Sequence, residues 1–262
     1  MANMTSSVSA SQVAGELASA TFEEIPALVE HYREDPRQQV IKACERALKR
    51  HAKELAERER VNDMYELMHE LCGDGVVVGV DEVGRGSVAG PLTVCAVCLP
   101  MEPRVWGIND SKKLTPARRE LLSVKIAEVA TAIGFCHIAP KDIDEMGMAR
   151  AIRTAVAGAV ADTGLEPDCV LMDGNPLGAV PNERDVVKGD AKIACIAAAS
   201  IMAKVTRDEM MVEYDAEYPE YHLAESKGYA SPEHIEAIRK HGLCPLHRVS
   251  FCGNFLQTER LF

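Results

Sequence analysis

Short apolar, β-branched runs that alternate with longer helical patterns constrain the fold most strongly, and they begin at Val76. The predicted strands are residues 76–80, 92–99, 133–138, 168–172 and 186–187. The predicted helices among and after them are residues 116–130, 142–161, 190–216 and 232–241. Strands that come early, with helices between and after them, predict an α/β or α+β domain with a mixed sheet.

The N-terminal part of the chain lacks strand patterns and is predicted to be an extension of this domain. Residues 1–20 are rich in Ser and Ala, and we expect them to be disordered. Residues 21–74 are predicted to be a helical module whose third, short helix runs from Met64 to Leu71. The Gly-rich segment Cys72–Gly75 marks its end. The main domain is then residues 75–256, followed by a tail of residues 257–262.

Composition predicts a soluble, folded protein of the cytoplasm. Apolar residues make up 47% of the 262 residues, which allows a large buried core. No apolar run approaches the roughly 20 residues that a membrane helix needs, and the N-terminus does not resemble a secretory signal. The nine cysteines are scattered singly apart from Cys95 and Cys98, so we expect reduced thiols.

The net charge of −11 counts against a nucleic-acid partner, because nucleic acids are bound through Lys and Arg contacts with phosphates. The position of the charges matters more than their sum, however, and carboxylates that hold divalent metals also count as negative. Basic residues do cluster locally, at Lys112-Lys113 with Arg118-Arg119, Lys188 with Lys192, Lys204 with Arg207, and Arg239-Lys240 with Arg248.

Acidic residues stand at the ends of several predicted core elements. Asp81-Glu82 follows the first strand and leads into Gly84-Arg85-Gly86, Asp173 ends the fourth strand, and Asp190 opens the Ala-rich helix. Each alone has an ordinary explanation, a polar strand end or, for Asp190, an N-cap. A dinucleotide-binding fingerprint is excluded, because a strand rather than a helix follows the glycines.

Taken together, these four carboxylates predict a site for two Mg²⁺ ions, because buried carboxylates are costly without a partner and hard cations prefer oxygen ligands. Such a pair of ions promotes in-line displacement at a phosphodiester, one activating water and the other stabilising the leaving oxygen. One geometric condition applies. Neighbours on a regular strand point to opposite faces, so the strand must end or bulge for Asp81 and Glu82 to share a metal site.

Residues 76–253 resemble ribonuclease HII almost from end to end. The resemblance rests on eight ordered stretches, which are GVDEVGRGSVAGP (79–91), NDSKKL (109–114), LMDG (171–174), KGDAK (188–192), IAAASIMAKVTRD (196–208), YPEY (218–221), KGYASPEH (227–234) and LHRVSF (246–251). It implies a ribonuclease H-like α/β fold, with a mixed central sheet of about five strands flanked by helices.

The resemblance also implies a set of site residues. The catalytic, metal-binding carboxylates are Asp81, Glu82, Asp173 and Asp190, holding two Mg²⁺ or Mn²⁺ ions, with Asp208 left to a structural role. The substrate-binding residues are Gly84, Arg85, Gly86 and Tyr229 at the ribose 2′-OH, with Arg85 and Lys112 or Lys113 at phosphate. A departure from the family is Ser226, where a His is common, and this puts fine rate or metal preference in doubt.

The implied activity is endonucleolytic cleavage of the RNA strand in RNA–DNA hybrids, leaving 3′-OH and 5′-phosphate ends. It includes cutting on the 5′ side of a ribonucleotide embedded in duplex DNA. Two alternatives stay open, ribonuclease HIII and a non-catalytic hybrid-binding protein on the same fold. A Gly-Arg-Gly turn, where ribonuclease HIII usually has Gly-Lys-Gly, and a helical rather than β-rich extension disfavour the first.

Other candidates are weaker. Cys95 and Cys98 and also Cys195 are expected to be core thiols, and His247-Arg248 is expected to be either structural or phosphate-facing. The basic face formed by Arg46, Lys49, Arg50 and Lys53 is more simply explained as solvated. The tail Gln257–Phe262 suggests docking to a replication sliding clamp, and the protein is expected to be a monomer.

Overall fold

The computed structural model describes residues 8–256, which divide into two compact units with the boundary between Asn62 and Asp63. The α-helices are α1 (Ala10–Ser19), α2 (Ile25–His31), α3 (Gln38–Cys72), α4 (Pro116–Val129), α5 (Pro140–Met146), α6 (Met148–Asp162), α7 (Ala194–Glu217), α8 (Leu223–Ser226), α9 (Pro232–His241) and α10 (Val249–Cys252). The strands are β1 (Val77–Val83), β2 (Leu92–Cys98), β3 (Ala132–Ile138), β4 (Cys169–Asp173) and β5 (Glu183–Val186).

The predicted disorder of residues 1–20 is wrong for Ala10–Ser19, which form helix α1. The Ser9 hydroxyl accepts a hydrogen bond from the Gln12 main-chain N–H, and the Gln12 side chain accepts one from the Ser9 N–H. This reciprocal capping box satisfies two donors at the start of the helix. Val13 and Leu17, one turn apart, are both buried in the small apolar core of the N-terminal unit.

Helix α3 is one continuous helix of 35 residues, so the separate third helix predicted from Met64 is wrong. No Gly or Pro interrupts the sequence between Gln38 and Cys72, and nothing therefore breaks the hydrogen-bond ladder. The helix ends where Gly73 takes a positive φ of 69° and its N–H donates to the His69 carbonyl at 2.7 Å.

The sheet has the strand order β3-β2-β1-β4-β5 and is mixed, as expected. Strand β1 pairs antiparallel with β2 on one side and parallel with β4 on the other. Strand β3 continues the antiparallel side and β5 continues the parallel side. The carboxyl ends of β1 and β4 therefore open at the same edge of the sheet, which is where the sequence places acidic residues.

Helices cover both faces of the central strands. Val78 and Val80 point to the face covered by α6, where they share a buried apolar cluster with Ile152 and Val156. Gly79 points to the face covered by α7, and a Cβ there would lie 2.3 Å from the Cys195 carbonyl carbon. This close approach brings the Ala-rich first half of α7 directly against β1.

Cysteine chemistry differs from the sequence-based expectation. Cys72, at the end of α3, and Cys169, at the start of β4, form a disulfide with their Cα atoms 5.9 Å apart. The prediction of reduced thiols throughout is therefore wrong for this pair. The two cysteines are 97 residues apart, so the sequence alone does not show that they are neighbours. Cys95, Cys98 and Cys195 are buried free thiols, which confirms their assignment to the core.

None of the helices found between residues 8 and 256 combines the length and apolar character required to cross a membrane.

Candidate active site

Asp81 and Asp173 stand next to each other at the carboxyl ends of β1 and β4. The parallel pairing of these strands ends with Val80 opposite Met172, and each aspartate is the next residue of its strand. Side chains alternate along a strand, so both aspartates lie on the face that Gly79 presents to α7. The Ser200 hydroxyl of α7 is near enough to the Asp81 carboxylate to lower its pKa, although burial outweighs this effect.

Glu82 lies on the opposite face of β1. The sequence required β1 to end or bulge if Asp81 and Glu82 were to share a metal site, and the pairing of β1 with β2 shows neither at these residues. Strand β1 continues to Val83 with regular antiparallel pairing, Asp81 opposite Cys95 and Glu82 opposite Val94. No bulge turns the two neighbours to one face. Glu82 nevertheless lies at the edge of the sheet, close enough to Asp173 for their charges to repel.

Asp190 joins the two aspartates from the turn that precedes α7. It belongs to a 3-10 turn, Gly189–Ala191, and is only 7% exposed. The Gly189 N–H donates to Asp173 Oδ1 at 2.7 Å, which ties this turn to the end of β4. The alternative that Asp190 caps the Ala-rich helix is wrong, because the residue at the N-cap of α7 is Ile193.

The pKa values of Asp81, Glu82 and Asp190 are raised, as expected for buried carboxylates that have too little positive charge nearby to balance them. Burial, and next the neighbouring Glu82 carboxylate, raise the pKa of Asp81 to about 8. Burial also raises the pKa values of Glu82 and Asp190, with repulsion from Asp173 adding to both. Positive charge on Lys112 opposes the increase at both residues. A cation bound among these oxygens would relieve both desolvation and repulsion.

The donor set therefore suits a hard divalent cation by its chemistry. All four groups are carboxylates, which are the ligands that Mg²⁺ and Mn²⁺ prefer. In the part of the chain that the structure describes, no three His, Cys, Asp or Glu side chains are arranged so that they could hold a metal ion. Binding of a cation would therefore require the carboxylate side chains to move together.

The Gly-Arg-Gly turn follows β1 immediately. Gly84 has a φ of 90°, and a Cβ there would lie 2.3 Å from Arg207 Nε, so the fold itself requires this glycine. Gly86, by contrast, has open space around the position of a Cβ. Arg85 between them is 64% exposed along its side chain, with Nη1 3.7 Å from Glu82 Oε1.

Two arginines that the sequence places in basic clusters, Arg207 and Arg248, are buried and hold this turn. Arg207 of α7 donates to the carbonyls of Pro91 and Ala89, to the Ser87 hydroxyl and to the Lys227 carbonyl, at 2.8–3.1 Å. Arg248 donates to the carbonyls of Gly90 and Arg85 at 2.9–3.2 Å. Both side chains are fully buried. The open question about Arg248 is thereby answered, because its donors bind main chain and it does not face phosphate.

Tyr229 lies beside the same turn. The N–H groups of Val88 and Ala89 both donate to the Gly228 carbonyl, at 2.8 and 3.1 Å. The Tyr229 ring is 41% exposed, and its centroid lies 5.8 Å from the Arg207 guanidinium carbon. Ser226, where the family often has His, accepts a hydrogen bond from the Gly228 N–H and so closes the turn before Tyr229.

Some of the predicted basic residues are exposed near the carboxylates, and others are bound within the protein. Lys112 and Lys113 are exposed on one 3-10 turn, and Lys112 is the one whose charge acts on Glu82 and Asp190. Lys204 instead forms an ion pair with Asp208 at 2.7 Å, in keeping with the structural role expected for Asp208. Arg50, on the predicted basic face of the extension, donates to main-chain carbonyls at the end of α1.

Comparisons with known proteins agree on one family. Residues 78–254 match the family model described as Ribonuclease HII, and residues 9–71 match the model Ribonuclease HII N-terminal domain. Ribonuclease HII of Ruminiclostridium cellulolyticum is 44% identical over 204 residues, which cover 77% of this chain and 80% of that protein. Ribonuclease HII of Moorella thermoacetica is 47% identical over 198 residues, covering 74% and 96%.

Solved structures agree in fold. Ribonuclease H2 from Pyrococcus horikoshii OT3 aligns with a TM-score of 0.60 and 27% identity, over 70% of this chain and 99% of that one. The structure of Bst-RNase HIII in complex with Mn²⁺ aligns with a TM-score of 0.56 at 19% identity, over 70% and 69%, and supports the fold alone. Ribonucleases H depend on divalent metal ions. The chain belongs to the ribonuclease HII family and is an endoribonuclease that acts on RNA–DNA hybrids.

Proposed function

We propose that this enzyme cuts duplex DNA on the 5′ side of an embedded ribonucleotide, as well as longer RNA–DNA hybrids, and that two divalent ions serve the reaction. The observation that carries the proposal is that Val88 and Ala89, just after the Gly-Arg-Gly turn, donate hydrogen bonds to Gly228, the residue before Tyr229. This contact lies next to the strand end that carries Asp81 and Glu82. A single ribose can then contact the turn, the tyrosine and the carboxylate edge together.

Each residue has a role in this proposal. Asp81, Glu82, Asp173 and Asp190 hold the ions, which when bound supply an activated water and stabilisation of the leaving oxygen. The protein's own contribution is to keep three of these carboxylates on the α7 face, with Asp81 and Asp173 on adjacent strands. The reaction needs no nucleophilic side chain, because water is the nucleophile, and cleavage leaves 3′-OH and 5′-phosphate ends.

Recognition of the ribose is assigned to the turn and the tyrosine. The open space at Gly86 lets main-chain groups approach a 2′-OH closely, and the exposed Tyr229 ring can stack on the sugar while its hydroxyl donates. Arg85, being exposed, and Lys112 or Lys113 are placed to bind phosphates. This arrangement distinguishes RNA from DNA at one nucleotide rather than along a tract.

The decisive test compares three labelled duplexes with Mg²⁺ or Mn²⁺: DNA with one ribonucleotide, all-DNA, and a long RNA–DNA hybrid. We expect one cut 5′ to the lone ribonucleotide, cuts in the hybrid, none in all-DNA, and none with EDTA. Cutting of the long hybrid alone would refute recognition of a single ribose while leaving the metal site. Absence of any cutting would favour a protein that only binds hybrids.

We further propose that residues 75–256 carry the chemistry of a monomeric enzyme, with residues 21–74 as a helical extension. The tail Gln257–Phe262 lies outside the described residues, and its docking to a sliding clamp is proposed from its sequence. The structure of the PCNA:RNase HII complex from Archaeoglobus fulgidus aligns at 24% identity and supports the fold alone.

Purified clamp should retain the full-length chain in a pull-down and lose it when residues 257–262 are deleted. The deletion leaves the described residues unchanged, so cleavage of naked duplex serves as the control. Equal retention of both forms, or of neither, would contradict a docking role for the tail.

A further inference from the structure

A pair of buried histidines connects the C-terminal segment to the main chain of Tyr229. His234 of α9 and His247 are 0% and 3% exposed, and their Nε2 atoms lie 3.1 Å apart. His234 Nδ1 lies 2.9 Å from the Tyr229 carbonyl oxygen. His247 Nδ1 lies 3.0 Å from the Cys244 main-chain nitrogen. These contacts form one chain of hydrogen bonds from Cys244 to Tyr229, and no step of the proposed reaction uses it.

The direction of this chain follows from its two ends. The Cys244 N–H can only donate, so His247 Nδ1 accepts and the His247 proton resides on Nε2. His247 therefore donates to His234 Nε2, which leaves the His234 proton on Nδ1, facing the Tyr229 carbonyl, which can only accept. In this arrangement every ring nitrogen has a partner, and both rings are neutral. A proton added to either ring would make two N–H donors face each other with no acceptor between them.

The surroundings keep the pair neutral. Burial lowers the pKa of His247 to about 4, with the neighbouring His234 as the next cause, and burial also lowers the pKa of His234. The groups that face the pair are the Cys244 thiol, 3.2 Å from His247 Nδ1, the Tyr221 ring, and the His222 imidazole. None of these carries a negative charge that would favour an imidazolium.

We propose that His234 and His247 are positioning residues that fix the main chain of Tyr229, and so set how its ring meets the ribose. The inference rests on the proposed role of Tyr229 at the 2′-OH. The Gly228 carbonyl accepts hydrogen bonds from Val88 and Ala89, and the Tyr229 carbonyl accepts one from the Ser231 N–H at 2.8 Å as well as the one from His234. His234 is thus the side chain that connects this loop to the histidine pair. Among the described residues no hydrogen bond holds the Tyr229 hydroxyl, and the Arg207 guanidinium carbon lies 5.8 Å from the ring centroid. The direction of the ring therefore depends on the main chain behind it.

Two substitutions of His234 separate positioning from packing. In His234→Asn the side-chain amide reaches the place of Nδ1 and can donate to the Tyr229 carbonyl. In His234→Gln the amide reaches the place of Nε2 and cannot. We expect His234→Gln to lower kcat/KM on the single-ribonucleotide duplex about 10-fold, the value of one hydrogen bond of about 1.4 kcal/mol, and His234→Asn to restore most of it. Thermal unfolding of both variants checks that they fold.

Tyr229→Ala completes the test. If Tyr229 reads the ribose, Tyr229→Ala lowers single-ribonucleotide cleavage, and adding His234→Gln to it causes no further loss, because the two act through one contact. A full additional loss in the double variant, or equal activity of the Asn and Gln variants, would overturn the positioning role alone. Wild-type cleavage by Tyr229→Ala would overturn the proposed reading of the ribose, and the positioning role with it.

Discussion

Asp173→Asn is expected to lower the rate of hybrid cleavage at least about 1,000-fold while leaving the fold intact. The substitution removes the negative charge that faces Asp81 across adjacent strands, and with it about 4 kcal/mol of transition-state stabilisation by bound metal. The fold is preserved because the remaining amide oxygen can still accept the hydrogen bond from the Gly189 N–H. Steady-state cleavage of a long hybrid, with circular dichroism as the check on folding, measures the effect.

The matched control is Asp185→Asn, the same chemical change on the neighbouring strand. Asp185 pairs with Met172 in the sheet register but is exposed, and no role in the site is assigned to it. It should cut at the wild-type rate. Cleavage by Asp173→Asn within a few-fold of that control would mean that the metal site has been placed wrongly.

Much of this site could be predicted from the sequence, because its key groups follow strands that are unmistakable. An apolar run ends at Asp81 and another at Asp173, and parallel neighbours bring their carboxyl ends to one edge. The sequence made the place of Glu82 depend on a bulge or a strand end, and β1 shows no bulge there because its pairing with β2 is regular through Val83. Asp190 was predicted as a metal-binding carboxylate, with an N-cap as the ordinary alternative. That alternative fails because α7 begins at Ala194, four residues later than its pattern predicts.

The supports of the site could not be predicted, because they depend on contacts between distant parts of the chain. Arg207 reaches Pro91 across 116 residues, and Arg248 reaches Arg85 across 163. In the sequence both arginines look like ordinary basic residues that would face solvent or phosphate. Only the tertiary structure shows that main-chain carbonyls surround them. The Cys72–Cys169 disulfide was missed for the same reason.

Arg207→Met is expected to reduce the free energy of unfolding by about 3–5 kcal/mol, because each buried acceptor left without its donor costs about 1–3 kcal/mol. The side chain is fully buried, and its loss would leave the carbonyls of Pro91, Ala89 and Lys227 without their donor. Met is a good helix former of similar length, so the effect cannot come from weakening α7. Urea denaturation followed by circular dichroism gives the difference.

The control for this change is Arg153→Met on helix α6, where the arginine is exposed and a change within about 0.5 kcal/mol is expected. Arg207→Lys should fall between the two, because one ammonium group keeps the charge but cannot reach acceptors on the turn and at Lys227 together. Its cleavage of the single-ribonucleotide duplex should fall more than its stability accounts for, since Arg207 joins the Gly84–Pro91 turn to the segment before Tyr229. Equal stability of Arg207→Met and Arg153→Met would show that the turn holds its shape without this guanidinium.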